Sequence, residues 1–248
     1  MRIKFLGTNG WYATSWGNTT SIFIDSEDYY ILLDAGDGIH KIDQFIVDDK
    51  PIVLLLSHLH LDHTIGFHSF AKFSFPQTFN VYGYRGIKEG LENIIRHPYS
   101  SPFADLAVKL EIHELQEGSH NVGFPITCKL LDHADPCMGY RMEIDNKIIT
   151  YCTDTGLCPN LYTLAEDADL LITECSYKPG QEEWGWAHLK PKEAAGVAAK
   201  SKVKKLILTH FDASIYKTMQ HRRDAEEVAK KIFKNTLAAT DGLEIVIG

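Results

Sequence analysis

The stretch SHLHLDHTIG, residues 57–66, sets His58, His60, Asp62 and His63 within a few positions of one another, directly after the apolar run PIVLLL of residues 51–56. A short continuous apolar run fits a strand covered on both faces. Imidazole and carboxylate groups are ligands for borderline cations such as zinc. In an extended turn, side chains two residues apart point to one side, so His58 and His60 converge. Asp62 and His63 carry the cluster on round the turn. One cation could not easily take all four groups, so the packing suggests two cations side by side, each completed from elsewhere. Buried and unpaired, the four would be costly, which argues against a purely structural explanation.

Further candidate ligands stand past other apolar runs. His133 follows TCKLLD, Asp154 follows KIITYCT and His210 follows KLILT. Three separate strands each ending in a ligand type form a stronger signal than any one of them, because strand ends hold ligands on rigid elements. Taken singly, each has an ordinary explanation. A lone histidine after a strand is usually a polar surface or satisfied core residue, and Asp154 in TDTG suits a turn. His68, His97, His113, His120 and His221 are read as surface residues.

Bulk properties narrow the classes. A chain of 248 residues suits one domain, 1–248, with enough length for a sizeable core. No apolar run approaches a membrane span, and MRIKFLGTNG lacks a signal peptide's apolar stretch, so a cytoplasmic location with no membrane partner is expected. The five cysteines form no CxxC pair and are read as thiols rather than a disulfide framework. The formal net charge of −8 disfavours long nucleic acid as a partner unless a basic patch compensates. The densest basic run, KSKVKK at 200–205, reads as a solvated helix end.

Patterning predicts strands at 2–6, 20–25, 29–34, 52–56, 109–114, 125–131, 138–144, 147–151, 169–173, 206–209 and 243–247. Asp145-Asn146 is the expected hairpin turn. Helices are expected over 39–48, 63–72, 85–96, 159–166, 191–200 and 218–233, with Pro191 opening its helix. Phe67, Phe70, Phe73 and Phe75 recur near helical spacing and suit a core or a dimer face. Two halves of meander then crossover predict two mixed sheets packed face to face with helices outside, an α/β layered sandwich.

With these motifs in hand, the chain resembles the metallo-β-lactamase superfamily, whose signature HxHxDH is here His58, His60, Asp62 and His63. His133, Asp154 and His210 follow in that family's order. Within it the details resemble the ribonuclease Z branch: FLGT near the start, NTTS at 18–21, Gly139-Tyr-Arg141, LLITECSY at 170–177 with Glu174, His188 before KPKEAAGVAAK, and LILTHF. The resemblance implies a four-layer αββα sandwich and a dinuclear site. His58, His60 and His133 would bind one metal, Asp62, His63 and His210 the other, and Asp154 would bridge them. The implied cofactors are two divalent ions, zinc first, with manganese or iron as alternatives. Three features depart from the branch. Only 21 residues separate His133 and Asp154, too few for the tRNA-clasping arm. The early basic loop is replaced by WYATSWG. Trp186 stands where the branch tends to carry a carboxylate.

The expected function is therefore a phosphodiesterase that turns a metal-bridging hydroxide on a small or cyclic phosphodiester or nucleotide. Asp62 would orient the water and accept a proton. His188 would bind a phosphoryl oxygen or protonate the leaving group, and Glu174 would fix the tautomer of His188. The alternatives are a ribonuclease Z-like RNA endonuclease, a lactonase or thioesterase-type acyl hydrolase on the same metals, a mononuclear iron dioxygenase and a silent binding protein. A homodimer fits the resemblance. Trp11, Tyr12, Trp16, Trp184 and Trp186 would rim the site and stack on a nucleobase, or else pack together or at a subunit contact.

Overall fold

The computed structural model describes residues 1–181 and 185–248. Two seven-stranded sheets carry the architecture. In the first, the spatial order is Glu244–Val246, Arg2–Gly7, Ser21–Asp25, Tyr30–Leu33, Ile52–Leu55, Phe79–Tyr84 and Leu110–Leu115. Pairing is antiparallel up to Tyr30–Leu33 and parallel from there on. In the second, the order is Thr236–Ala238, Leu206–Thr209, Leu170–Glu174, Lys147–Cys152, Met138–Ile144, Pro125–Leu130 and Gly118–Asn121. Here the first four strands are parallel and the rest antiparallel. Both sheets are mixed, as the meander-then-crossover pattern predicts.

Apolar residues on both faces of the central strands explain their unbroken hydrophobic runs. Val53 and Leu55 join the core between the sheets, while Ile52, Leu54 and Leu56 face the outer layer with Ile39, Ile42, Phe67, Phe70, Ile87 and Leu91. In the second sheet Ile207 points inward and Leu206 and Leu208 pack under the helices Pro159–Ala165, Pro191–Lys200 and Met219–Lys230. The result is the expected αββα layering. Phe67, Phe70 and Phe73 are core residues.

Local signals hold at several joints. Asp145 and Asn146 adopt φ of 49° and 57°, the left-handed pair of a tight hairpin turn. Pro191 opens its helix, where the Glu193 carboxylate accepts from the Lys190 backbone N–H at 2.7 Å. The expected helices at 39–48 and 63–72 are instead 3-10 turns over Asp37–Gln44 and Ile65–Lys72, the latter preceded by one α-turn, Leu61–Thr64. Phe79–Tyr84, Gly118–Asn121 and Thr236–Ala238 are strands that the patterning did not single out. Four cysteines are buried, Cys158 is half-buried, and all five are free thiols. No helix among the described residues is long and apolar enough to cross a membrane.

Candidate metal centre

The seven candidate ligands meet at the ends of the strands that precede them. His58 and His60 follow Ile52–Leu55, and Asp62 and His63 sit in the single turn Leu61–Thr64. Asp154 follows Lys147–Cys152, His210 follows Leu206–Thr209, and His133 lies in the loop before Met138–Ile144. Asp154 and His210 both take left-handed backbone, φ 43° and 51°. Such conformations are uncommon outside glycine and cluster at functional sites. A two-stranded pairing of Asn9–Gly10 with Phe211–Asp212 brings the first loop against His210. Gly10 is required there, since a Cβ at that position would lie 2.5 Å from the His210 ring.

The donor atoms form interlocking groups: His58, His60 and His133; His58, His63 and Asp154; Asp62, His63 and His210. His63 Nε2 lies 2.9 Å from Asp154 Oδ2, and His210 Nε2 lies 3.1 Å from Asp62 Oδ2 and 3.3 Å from Asp154 Oδ2. Ligands around a zinc-sized ion at about 2.0–2.2 Å sit roughly 3.0–3.5 Å from one another. The spacing therefore fits.

The hydrogen bonds on the far side of each ring give a stricter test. Asp34 Oδ2, a carboxylate that only accepts, lies 2.7 Å from His63 Nδ1, so that nitrogen carries the proton. Ser57 Oγ donates to Asp34 Oδ2 and so accepts from His58 Nδ1 at 3.0 Å. Ser176 Oγ donates to the His210 carbonyl and accepts from His210 Nδ1 at 3.0 Å. Asp135 Oδ2 holds His60 Nε2 at 2.8 Å. In the neutral rings the lone pairs are then His58 Nε2, His60 Nδ1, His63 Nε2 and His210 Nε2. The last two face each other at 3.0 Å, and His58 Nε2 is buried with no partner. Nitrogens bearing lone pairs, aimed at one another beside carboxylates, call for a cation between them. Metal-ligating histidines are held from behind in this way.

Electrostatics divide the centre. Burial holds the His58 imidazole well below its usual pKa, helped by His63, and burial also lowers His133. Both favour the neutral ring that ligates. Burial would lower His63 too, but Asp62, Asp34 and Asp154 outweigh it and raise it well above the usual value. Burial acts to raise Asp62 and Asp154, yet the facing histidines keep both carboxylates below the usual range.

Glu174 and His188 stand beside this cluster. Glu174 is fully buried at the end of its strand and accepts from the Thr155 and Ser176 backbone N–H groups. Its Oε1 lies 2.7 Å from His188 Nδ1, and that nitrogen lies 3.8 Å from Asp154 Oδ1. Burial would depress His188, but Glu174 prevails and the ring is pushed up to about 9. Trp11 donates its backbone N–H to Asp62 Oδ2 at 2.7 Å, with φ 73°. Trp11 and Trp186 line a cavity over the centre, whereas Tyr12 and Trp16 are exposed outside it. Trp184 lies outside the described residues. The orienting groups Asp34, Ser57, Asp135, Ser176 and Tyr151, whose hydroxyl donates to Asp34 at 2.5 Å, are additions to the sequence reading. Only Asp34 had a signal, as one more carboxylate closing an apolar run.

Fold and site together define a metal-dependent hydrolase. Residues 29–211 match the family described as "Beta-lactamase superfamily domain", and the chain belongs to that superfamily. It resembles the ribonuclease Z branch. It is 28% identical to a ribonuclease Z of a Synechocystis species, over 100% of this chain and 94% of that one. That alignment runs over 314 positions against 248 residues here, so at least 66 positions are occupied in the relative alone. Among solved structures, the metallo-beta-lactamase fold protein YhfI from Bacillus subtilis superposes with a TM-score of 0.81 at 20% identity, covering 98% of each chain. Human tRNase Z, short form, superposes at 0.79 and 21% identity over the whole of both chains.

Proposed function

We propose that the chain, as one hydrolase domain over residues 1–248, is a phosphodiesterase for small or cyclic phosphodiesters with two divalent cations as cofactors, zinc first. His58, His60 and His133 would hold one cation and Asp62, His63 and His210 the other, with Asp154 between them. Bound there, the cations would supply Lewis acidity, neutralising phosphoryl charge and making a water acidic enough to ionise near neutral pH. The chain's own groups do the rest. Asp62, fixed by the Trp11 N–H, orients the attacking water and accepts its proton. His188 has Nδ1 committed to Glu174, which leaves Nε2 to give a proton to the departing oxygen. A general acid of this kind is worth about 10²–10⁴-fold.

The observation that carries the reading is the pair of buried Glu174 and half-buried His188, 2.7 Å apart beside Asp154. An alkoxide leaving from phosphorus needs a proton, and this pair is built to hold one. A ribonuclease Z-like RNA endonuclease is the second reading, favoured by the name and near-complete coverage of the relative. Two features weigh against it. The segment between His133 and Asp154 is used up by the hairpin Met138–Ile144 and Lys147–Cys152, which leaves no room for an arm. The net charge of −8 opposes a long polyanion.

The test is parallel turnover of bis-4-nitrophenyl phosphate, a lactone panel and a tRNA precursor, with and without chelator. Diester hydrolysis should be lost on chelation, return with zinc or manganese, and exceed the other two. Cleavage of the precursor with an inert diester would favour the second reading. Activity on lactones alone would make the protein an acyl hydrolase.

A further inference from the structure

The cavity over the centre, about 350 Å³, lies at the small end of the range for ligand sites. Among the described residues two indoles wall it. Trp186 stands on the side of His60 and His133, its ring centroid 6.2 Å and 6.1 Å from theirs. Trp11 lines it beside Asp62, to which its backbone is tied. Both are anchored and both are open to solvent. The Trp186 carbonyl accepts from the buried Tyr177 hydroxyl at 3.1 Å, yet the residue is 49% exposed, and Trp11 is 65% exposed. Trp11 also meets the Tyr12 ring edge-on at 5.3 Å, and indoles fixed by their backbones yet half or more exposed beside a polar centre offer stacking surface.

The charge of the cavity is equally telling. None of the described residues lining it is a lysine or arginine. Besides the candidate ligands and His188, its ionisable side chains include Asp212, whose Oδ1 is fixed by the backbone N–H and hydroxyl of Ser214 at 2.7 Å and 2.6 Å. A second phosphate would meet no lysine or arginine among these residues and one fixed carboxylate. The geometry points to a small phosphodiester with a single negative charge, at least one of whose two ester arms ends in a flat aromatic group stacked on Trp11 or Trp186. This rests on the phosphodiesterase reading and names its substrate class.

Stacking on an aromatic side chain is worth about 5- to 150-fold in affinity. The test compares phenyl 4-nitrophenyl phosphate with methyl 4-nitrophenyl phosphate, which share a leaving group, using zinc- or manganese-loaded protein. The phenyl diester should show a KM about tenfold lower. One of Trp11→Ala and Trp186→Ala should bring the ratio of the two KM values close to one, and Phe at that position should retain most of it. The other substitution should weaken both diesters alike, which identifies the indole serving the leaving arm. A phosphate added to the phenyl arm should raise KM, and Asp212→Asn should recover part of that loss. A ratio near one in the active wild type, or one unmoved by either Trp→Ala change, overturns the aromatic subsite alone. A phosphorylated arm that binds as well as the plain one overturns the single-charge requirement. Failure of loaded wild type to hydrolyse either diester overturns the phosphodiesterase reading and this inference with it.

Discussion

Asp34 shows how the centre is held residue by residue. It is fully buried at the end of Tyr30–Leu33 and takes hydrogen bonds from the Ser57 N–H and hydroxyl and from Tyr151 across the sheet interface. Its bond to His63 Nδ1 fixes which nitrogen of that ring can ligate. A buried carboxylate serves here because four donors satisfy it. Glu174 performs the same office for His188. His188→Ala should lower turnover of a phosphodiester by about 10²–10⁴-fold, the scale of a lost general acid. Metal content should stay at the wild-type level, because His188 is not among the seven proposed ligands. Unchanged turnover in a fully metal-loaded variant would remove His188 from the mechanism.

At the scale of the element, each ligand depends on the strand that delivers it. Leu170–Glu174 lies between Lys147–Cys152 and Leu206–Thr209, which places Glu174, Asp154 and His210 side by side. Outside the site, Asp169 anchors the start of that strand. It accepts from the Ile148 backbone N–H at 2.9 Å and pairs with Lys204 at 2.7 Å. Burial would raise its pKa, but Lys204 and the Ile148 N–H outweigh that and hold it below the usual carboxylate range. A carboxylate depressed in the folded state contributes stability above its unfolded pKa of about 3.9 and loses it as pH falls through the folded value. Urea midpoints measured from pH 6 down to pH 2 should therefore fall less steeply for Asp169→Asn than for the wild type. Parallel curves would show that the pair carries no acid sensitivity.

Elements and ligands were legible in the sequence to different degrees. The doubly buried strands announced themselves as apolar runs, and the candidate ligands as polar residues closing those runs. Phe79–Tyr84 did not, because Asn80 and Gly83 interrupt its pattern. A Cβ on Gly83 would come within 3.0 Å of the Leu56 carbonyl, a close approach set by the neighbouring strand. The 3-10 turns at Asp37–Gln44 and Ile65–Lys72 were read as regular helices. Gly36 and Gly66 bring these segments so close that a Cβ on Gly66 would lie 2.3 Å from the Gly36 carbonyl. Hydrophobic spacing does not encode such contact. The orienting partners were hidden for a similar reason. Any polar residue at any separation can hold the back of an imidazole, and Asp135 holds His60 from 75 positions away.

Across the whole molecule, the first sheet brings His58, His60, Asp62 and His63 to the centre, and the second brings His133, Asp154, Glu174 and His210. Each of the three groups formed by the seven proposed ligands draws on both sheets, so that centre lies where the two layers meet. Tyr151, reaching from the second sheet to Asp34 in the first, ties that junction together. The same layering leaves Trp11 and Trp186 lining the cavity. The most direct measurement is anomalous diffraction from crystals of the protein loaded with zinc. The account predicts two peaks, one among His58, His60 and His133 and one among Asp62, His63 and His210, with Asp154 between them. Zinc bound elsewhere, or none bound at these side chains, would contradict it.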